Sequence, residues 1–340
     1  MMHEPPRWAA VALAPATLVY ATVVAWRRRR FDAGIGVVRL DPPVISVGNL
    51  VAGGTGKSPI CRTIATHLLR RGLRPAIAMR GYRAAATGFS DEAAEYASRM
   101  PEVPIAIGAD RVSAVAALPE PPGAVVLDDG FQHRRVHRDL DVVLVDAVHS
   151  GLDRGMLPSG PRREPRSALR RADAVVVTRA AGIDPALSAR IERHHGRPPL
   201  AWTRHAWTGL TSHLGGVEST EPVSALDGRR VATVLGVGNP ASIRRSIEAA
   251  GGIVAHDVAV RDHAAYDAAR IAAIVEAART ARAEAIVTTL KDWVKIRPEA
   301  ARFGDLPVLV PTLEIEFLSG EAAFFAAIDA TVEGAAPASG

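Results

Sequence analysis

PPVISVGNLVAGGTGKSPICRTIATHLLRRG, residues 42–72, passes from an apolar run through a glycine-rich turn into a stretch of helical period. That order reads as strand, turn and helix. In GGTGKS at 53–58, the residues Gly53, Gly54, Thr55 and Gly56 let the backbone N–H groups and the helix N-terminus cradle phosphates. Lys57 would reach the terminal phosphates, and the Ser58 hydroxyl would ligate Mg²⁺. One place is irregular, because the glycine expected five positions before Gly56 is Val51. A phosphate-binding loop of this kind needs a carboxylate at the end of a nearby strand to organise Mg²⁺ and its waters. AVVLDDG at 124–130 supplies one in Asp128 and Asp129.

Outward from this core, short Val/Ile-rich runs alternate with Ala/Arg/Leu stretches of helical period. Strands are expected at 44–47, 76–79, 105–107, 124–127, 142–145, 174–177, 231–235, 253–260, 285–288 and 308–310. Helices are expected at 59–71, 111–117, 241–250 and 266–281. Such alternation predicts an α/β fold: a P-loop domain on a mostly parallel sheet plus a smaller α/β domain. The interval 202–230 has mixed polarity, reads as a loop, and carries the break between the two. The expected layout is an N-terminal helix over 1–30, a P-loop domain over 31–205 and a second domain over 206–332. A Gly/Ala/Pro/Ser tail at 333–340 is expected to be disordered.

With 340 residues, 48% of them hydrophobic, the chain can fill two cores. The formal charge is +5 and points to an anionic partner without choosing one. Aromatics make up only 5% and are not interleaved with basic residues, which argues against a single-strand nucleic-acid binder. The positive charge is almost all arginine, the only lysines being Lys57, Lys291 and Lys295. Cys61 is the single cysteine, so an intrachain disulfide is excluded and a reducing compartment fits. No Cys/His cluster has zinc spacing.

From Trp8 to Trp26 the 19 residues carry no charge, with Arg7 before them and Arg27, Arg28, Arg29 and Arg30 after. As a helix they would reach about 28 Å, close to the roughly 30 Å hydrocarbon core of a bilayer. A cleaved signal peptide does not suit a basic run that follows the apolar stretch. A buried core helix and a helix lying in or entering the bilayer both remain open. The flanking tryptophans and arginines favour the second, with the rest of the chain on the cytoplasmic side.

The second acidic motif is longer than a metal-binding carboxylate requires: DDGFQHRRVHRDLDVVLVDA at 128–147. Together with SVGNLVAGGTGKSP it resembles the tetraacyldisaccharide 4′-kinase (lipid A 4′-kinase) family of Gram-negative bacteria. RGYR at 80–83, IGADR at 107–111, MLPSGPRREP at 156–165 and TTLKDWVKI at 288–296 extend the resemblance over nearly the whole chain. The resemblance implies ATP and Mg²⁺ as cofactors and an acylated glucosamine disaccharide 1-phosphate as acceptor. The γ-phosphate would pass to its 4′-hydroxyl, giving lipid IVA, at the cytoplasmic face of the inner membrane.

On the same resemblance, Lys57 and Ser58 would bind phosphate and metal, with Asp128, Asp129 and Glu164 around Mg²⁺. Arg80, Tyr82, Arg111 and His133 would hold the acceptor disaccharide and its phosphate. The acceptor hydroxyl must lose a proton, so a base is expected within hydrogen-bond reach. The family pairs an Asp from a GDEP-like motif with a later His; here these are Asp91 in SDEAAEYA and His263 in RDHAAY. This chain departs from the family pattern at Ser90 and Ala93, which stand for Gly and Pro, and at Leu290, which stands for Glu. The alternative is a P-loop GTPase or ATPase switch or a metal chaperone. It would call for a guanine-reading NKxD or a Cys/His cluster, and LKDW at 290–293 is an imperfect echo of the former.

Overall fold

The computed structural model describes residues 12–81, 91–236, 240–260 and 266–334. The chain divides into two compact units, one formed by Ala206–Glu314 and the other by the residues up to His205 together with those from Ile315 onward.

The larger unit is built on a parallel sheet. Its strands are β1 (Val44–Asn49), β2 (Pro75–Met79), β3 (Ile105–Ile107), β4 (Ala124–Asp128), β5 (Leu140–Asp146), β6 (Ala174–Thr178) and the start of β7 (Ala201–Leu214). They lie in the order β7-β6-β5-β1-β4-β2-β3, all neighbours parallel. β1, β2, β4, β5 and β6 are buried along their whole length. That is why they read as continuous apolar runs rather than alternating ones. Helices of this unit are α1 (Ala14–Asp32), α2 (Lys57–Arg70), α3 (Asp91–Arg99), α4 (Arg111–Ala116) and α5 (Pro185–His195). α2 packs on β1, β2 and β4 through Ile60, Cys61, Ile64, Ala65 and Leu68, an i, i+4 stripe on one face. α5 starts at Asp184, whose carboxylate accepts from the N–H groups of Ala186 and Leu187, and ends at Gly196 in the left-handed region.

The smaller unit holds β9 (Arg230–Leu235), β10 (Ile253–Ala259), β11 (Ala285–Thr288) and β12 (Val308–Ser319), with α6 (Pro240–Ala249), α7 (Ala268–Thr280) and α8 (Leu290–Ile296). β10, β9, β11 and β12 pair parallel in that order. The interval expected to be a loop, 202–230, is instead mostly strand: β7 runs on to Leu214 and turns into β8 (Val217–Glu221) as an antiparallel hairpin. Its mixed polarity comes from half-exposed strands, with polar side chains on the wet face.

The second unit ends earlier than the sequence suggests. From Ile315 the chain rejoins the first unit, because β12 and α9 (Glu321–Gly334) carry Ile315, Phe317, Phe324 and Ile328 into the core that holds Ile60 and Ile64. The N-terminal helix α1 forms, but none of its residues is buried, which removes the core-helix reading. It is pinned at polar points: Thr17 Oγ1 to Ser159 Oγ at 2.9 Å, Tyr20 Oη to the Arg163 carbonyl at 3.0 Å, and Asp32 to Arg134 at 2.8 Å. Leu18, Val19, Val23 and Trp26 stay exposed, Leu18 by 70%. Among the described residues no helix is long and apolar enough to cross a membrane.

Candidate active site

β1 and β4 are neighbours with Val47 opposite Asp128, so the glycine loop and the acidic pair leave the sheet at adjacent strand ends. The loop is held from inside and from the side. Asn49 Nδ2 donates to the Gly53 carbonyl at 3.3 Å and to Thr55 Oγ1 at 2.9 Å. From the end of β6, Thr178 Oγ1 donates to the Thr55 carbonyl at 2.7 Å and Arg179 Nη2 to the Gly54 carbonyl at 2.9 Å. Arg179 is also ion-paired with Asp146 at the end of β5.

Val51, the irregular position, has a physical reason to be there. Its backbone bridges Arg162, its side chain is buried, and a side chain at Gly151 would strike it. The loop therefore opens on a packed, extended residue, and the glycine bend comes later. Gly56 caps α2 from the left-handed region, with no side-chain cap and no acidic residue in the first turn. The first N–H groups of a 14-residue helix, and Lys57 upon them, are thus arranged for an anion.

Asp128 and Asp129 separate into different roles. Asp128 is buried and its Oδ2 accepts from the Tyr96 hydroxyl at 2.9 Å. Asp129 takes a left-handed backbone, φ 55°, which turns it out of the strand line. Lys57 Nζ lies 3.4 Å from its Oδ1, and Arg163 Nη1 reaches its two oxygens at 2.8 and 2.6 Å. Burial alone would raise the Asp129 pKa, but Lys57 and Arg163 outweigh it and hold the carboxyl below its ordinary value. The same Arg163 nitrogen donates to Gln132 Oε1 at 3.2 Å.

Glu164 is buried, and both its oxygens accept from Arg171, at 2.6 and 2.8 Å. Arg171 also donates to the Phe131 carbonyl and stacks 3.6 Å above the Phe131 ring. A hollow beside Arg163 and Glu164 is walled by Tyr20, Arg27, Phe31 and Arg134, which brings α1 to the acidic site.

Arg111 opens α4 behind the Asp110 cap and is buried. Burial and the neighbouring Arg80 charge lower its pKa, against the pull of Asp129 and Asp128. His133 is driven to about 4 by burial and then by the Arg111 charge, so its imidazole is neutral at physiological pH. Its Nε2 is buried with no hydrogen-bond partner among the described residues.

Lys57, Asp128, Asp129, Arg111, Arg80 and His133 therefore gather at the C-terminal ends of β1, β4, β2 and β3. Asp91 is the first residue of α3, while Tyr82 and His263 lie outside the described residues. Sequence reasoning missed Arg163, Arg171, Gln132 and Tyr96. The first two stand in or just beyond GPRREP and Gln132 within DDGFQH, so their motifs were visible. Tyr96 had no local signal.

The tetraacyldisaccharide-1-P 4′-kinase family matches residues 9–333. A tetraacyldisaccharide 4′-kinase of Anaeromyxobacter dehalogenans is 38% identical over 356 residues, covering 97% of this chain and 93% of the relative. One from Geobacter metallireducens is 38% identical, covering 86% and 90%. Among solved structures, an "apo" form of LpxK from Aquifex aeolicus in complex with ATP superposes with a TM-score of 0.70 at 25% identity. That match covers 95% of this chain and 99% of the other.

Proposed function

This chain belongs to the tetraacyldisaccharide-1-P 4′-kinase family, and from that premise we infer its reaction and assign its residues. It is an ATP-dependent lipid kinase, a phosphotransferase with an alcohol acceptor. It transfers the γ-phosphate of ATP to the 4′-hydroxyl of tetraacyldisaccharide 1-phosphate, giving lipid IVA in lipid A biosynthesis. The observation that carries the assignment is Lys57 of the phosphate loop standing 3.4 Å from Asp129 of DDGFQH. It joins the nucleotide motif to the motif most particular to the family.

Phosphoryl transfer asks the protein for positioning and charge stabilisation rather than covalent chemistry. The N–H groups of residues 53–58 and Lys57 bind the β- and γ-phosphates. Mg²⁺, when bound, neutralises charge on those phosphates. The residues present suit it: Ser58, Asp128, Asp129 and Glu164 offer oxygen only. Among the described residues no three or more His, Cys, Asp or Glu side chains cluster as a metal cage. Mg²⁺ is commonly held by one or two carboxylates together with substrate phosphates and water. Glu164 would have to share Arg171, which already engages both its oxygens.

We assign Arg80, Tyr82, Arg111 and the neutral His133 to the acceptor. Asp91, at the start of α3, is the base for the 4′-hydroxyl proton, and His263 keeps its expected part in that step. The exposed apolar face of α1 and Arg27–Arg30 are assigned to the cytoplasmic face of the inner membrane, where an acylated acceptor resides.

The competing GTPase reading rests on LKDW, and there the structure is specific. Asp292 is buried and accepts from the Gly236 N–H at 3.0 Å, Tyr266 at 3.1 Å and Thr289 at 2.8 Å. Its carboxylate is committed to holding its own unit together and does not face a base. The test is transfer of label from γ-labelled ATP to the acylated disaccharide in detergent with Mg²⁺. Absence of transfer by folded protein overturns the assignment.

A further inference from the structure

Among the described residues, Tyr96 is the largest polar side chain that is wholly buried. It lies in the core with Ile60, Cys61 and Ile64 of α2. For packing alone a phenylalanine would serve, and a buried hydroxyl costs free energy unless it is hydrogen-bonded. This hydroxyl donates to Asp128 Oδ2 at 2.9 Å. It thus touches one of the groups assigned to Mg²⁺, the carboxylate at the end of β4.

Tyr96 also belongs to the helix that Asp91 opens. They are five positions apart, about 7.5 Å along a helix axis. A helix of nine residues fastened at Tyr96 carries its own first residue with it.

We propose that Tyr96 is a positioning residue: its hydroxyl orients the Asp128 carboxylate for the metal, and through α3 ties that carboxylate to Asp91. The proposal rests on the kinase reading for the roles of Asp128 and Asp91. Donation to Oδ2 fixes rotation of the carboxylate, so the donor oxygens need no reorganisation when the metal arrives. Groups that orient a ligating carboxylate matter to metal affinity almost as much as the ligand itself.

The experiment uses the full chain and Tyr96→Phe, with Mn²⁺ as probe and a non-hydrolysable ATP analogue. Free Mn²⁺ is followed by electron paramagnetic resonance. The expected result is Mn²⁺ affinity weakened about tenfold or more, with metal-free analogue binding unchanged, which also reports that the variant is folded. In steady state, kcat should fall, the KM for ATP stay put and the half-saturating Mg²⁺ rise. Met100→Leu, buried in the same core one helical turn on, should leave Mn²⁺ affinity as in the parent. Equal Mn²⁺ affinity in Tyr96→Phe and the parent overturns the proposal. Equal loss in Met100→Leu also overturns it, since the effect would then be general core loosening. Failure of the parent to phosphorylate the acylated acceptor, with its Mn²⁺ site intact, would instead overturn the kinase reading.

Discussion

Lys57 and Asp129 are paired across the mouth of the phosphate loop, Nζ to Oδ1 at 3.4 Å. The cation that would meet the nucleotide's terminal phosphates is thus held in place by an acidic residue of the second motif. Lys57→Met should lower kcat by about 10²–10³-fold, the scale seen when one preorganised charge-stabilising donor is removed. Metal-free analogue binding should fall much less. Rapid-quench and equilibrium titrations separate the two effects, and equal losses would mean that Lys57 only binds.

Arg163 grips Asp129 by both oxygens, and with Lys57 it keeps that carboxyl below its ordinary value despite burial. The ion pair therefore supports the fold at pH values above the unfolded value of 3.8 and is lost as pH falls through the depressed folded one. In Arg163→Gln burial is less opposed, so the carboxyl titrates higher. The acid limb of the kcat/KM profile should move to higher pH, while Arg190→Gln, at an exposed ion pair with Asp153, should leave it in place.

Gly56 has φ +84°, and a Cβ there would stand 2.9 Å from His205 Nε2. Gly56→Ala should lose about 1–2 kcal/mol for the left-handed backbone alone. It should also lose nucleotide binding, because the loop must move off the His205 ring. At Gly54 a Cβ meets nothing within 4 Å and φ is not left-handed, so Gly54→Ala should melt with the parent. Thermal melts with and without the ATP analogue decide between them.

Replacing Leu18, Val19, Val23 and Trp26 together by serine removes an exposed apolar face of a helix that buries none of its own residues. Sedimentation with anionic vesicles should drop, and the melting temperature should stay within a few degrees of the parent. Unchanged sedimentation would remove α1 from membrane contact.

The parts of the fold that could be read from sequence are those where the chemistry is local. β1, the glycine loop and α2 are contiguous, as are β4 and its two aspartates, so strand-end neighbours could be inferred from motif logic. Val51 looked like a defect because its justification, the bridge to Arg162 and the packing against Gly151, lies about a hundred residues away. The β7–β8 hairpin was lost in mixed polarity, since half-exposed strands carry no continuous apolar run. Tyr96 reads as one more core aromatic until Asp128 is seen beside it. In each case the missing information is a tertiary contact, which residue order does not encode on its own.

The return of β12 and α9 to the first unit has a consequence for synthesis. A ribosome makes the chain from its N-terminus, so the β1–β6 sheet and the nucleotide loop emerge early. The side chains that close the core around Ile60 and Ile64, Phe324 and Ile328 among them, emerge only after all of Ala206–Glu314. The nascent first unit therefore waits with an apolar flank uncovered while the second folds. Ribosome-stalled chains halted near residue 205 should call on chaperones, and those extended past residue 334 should not.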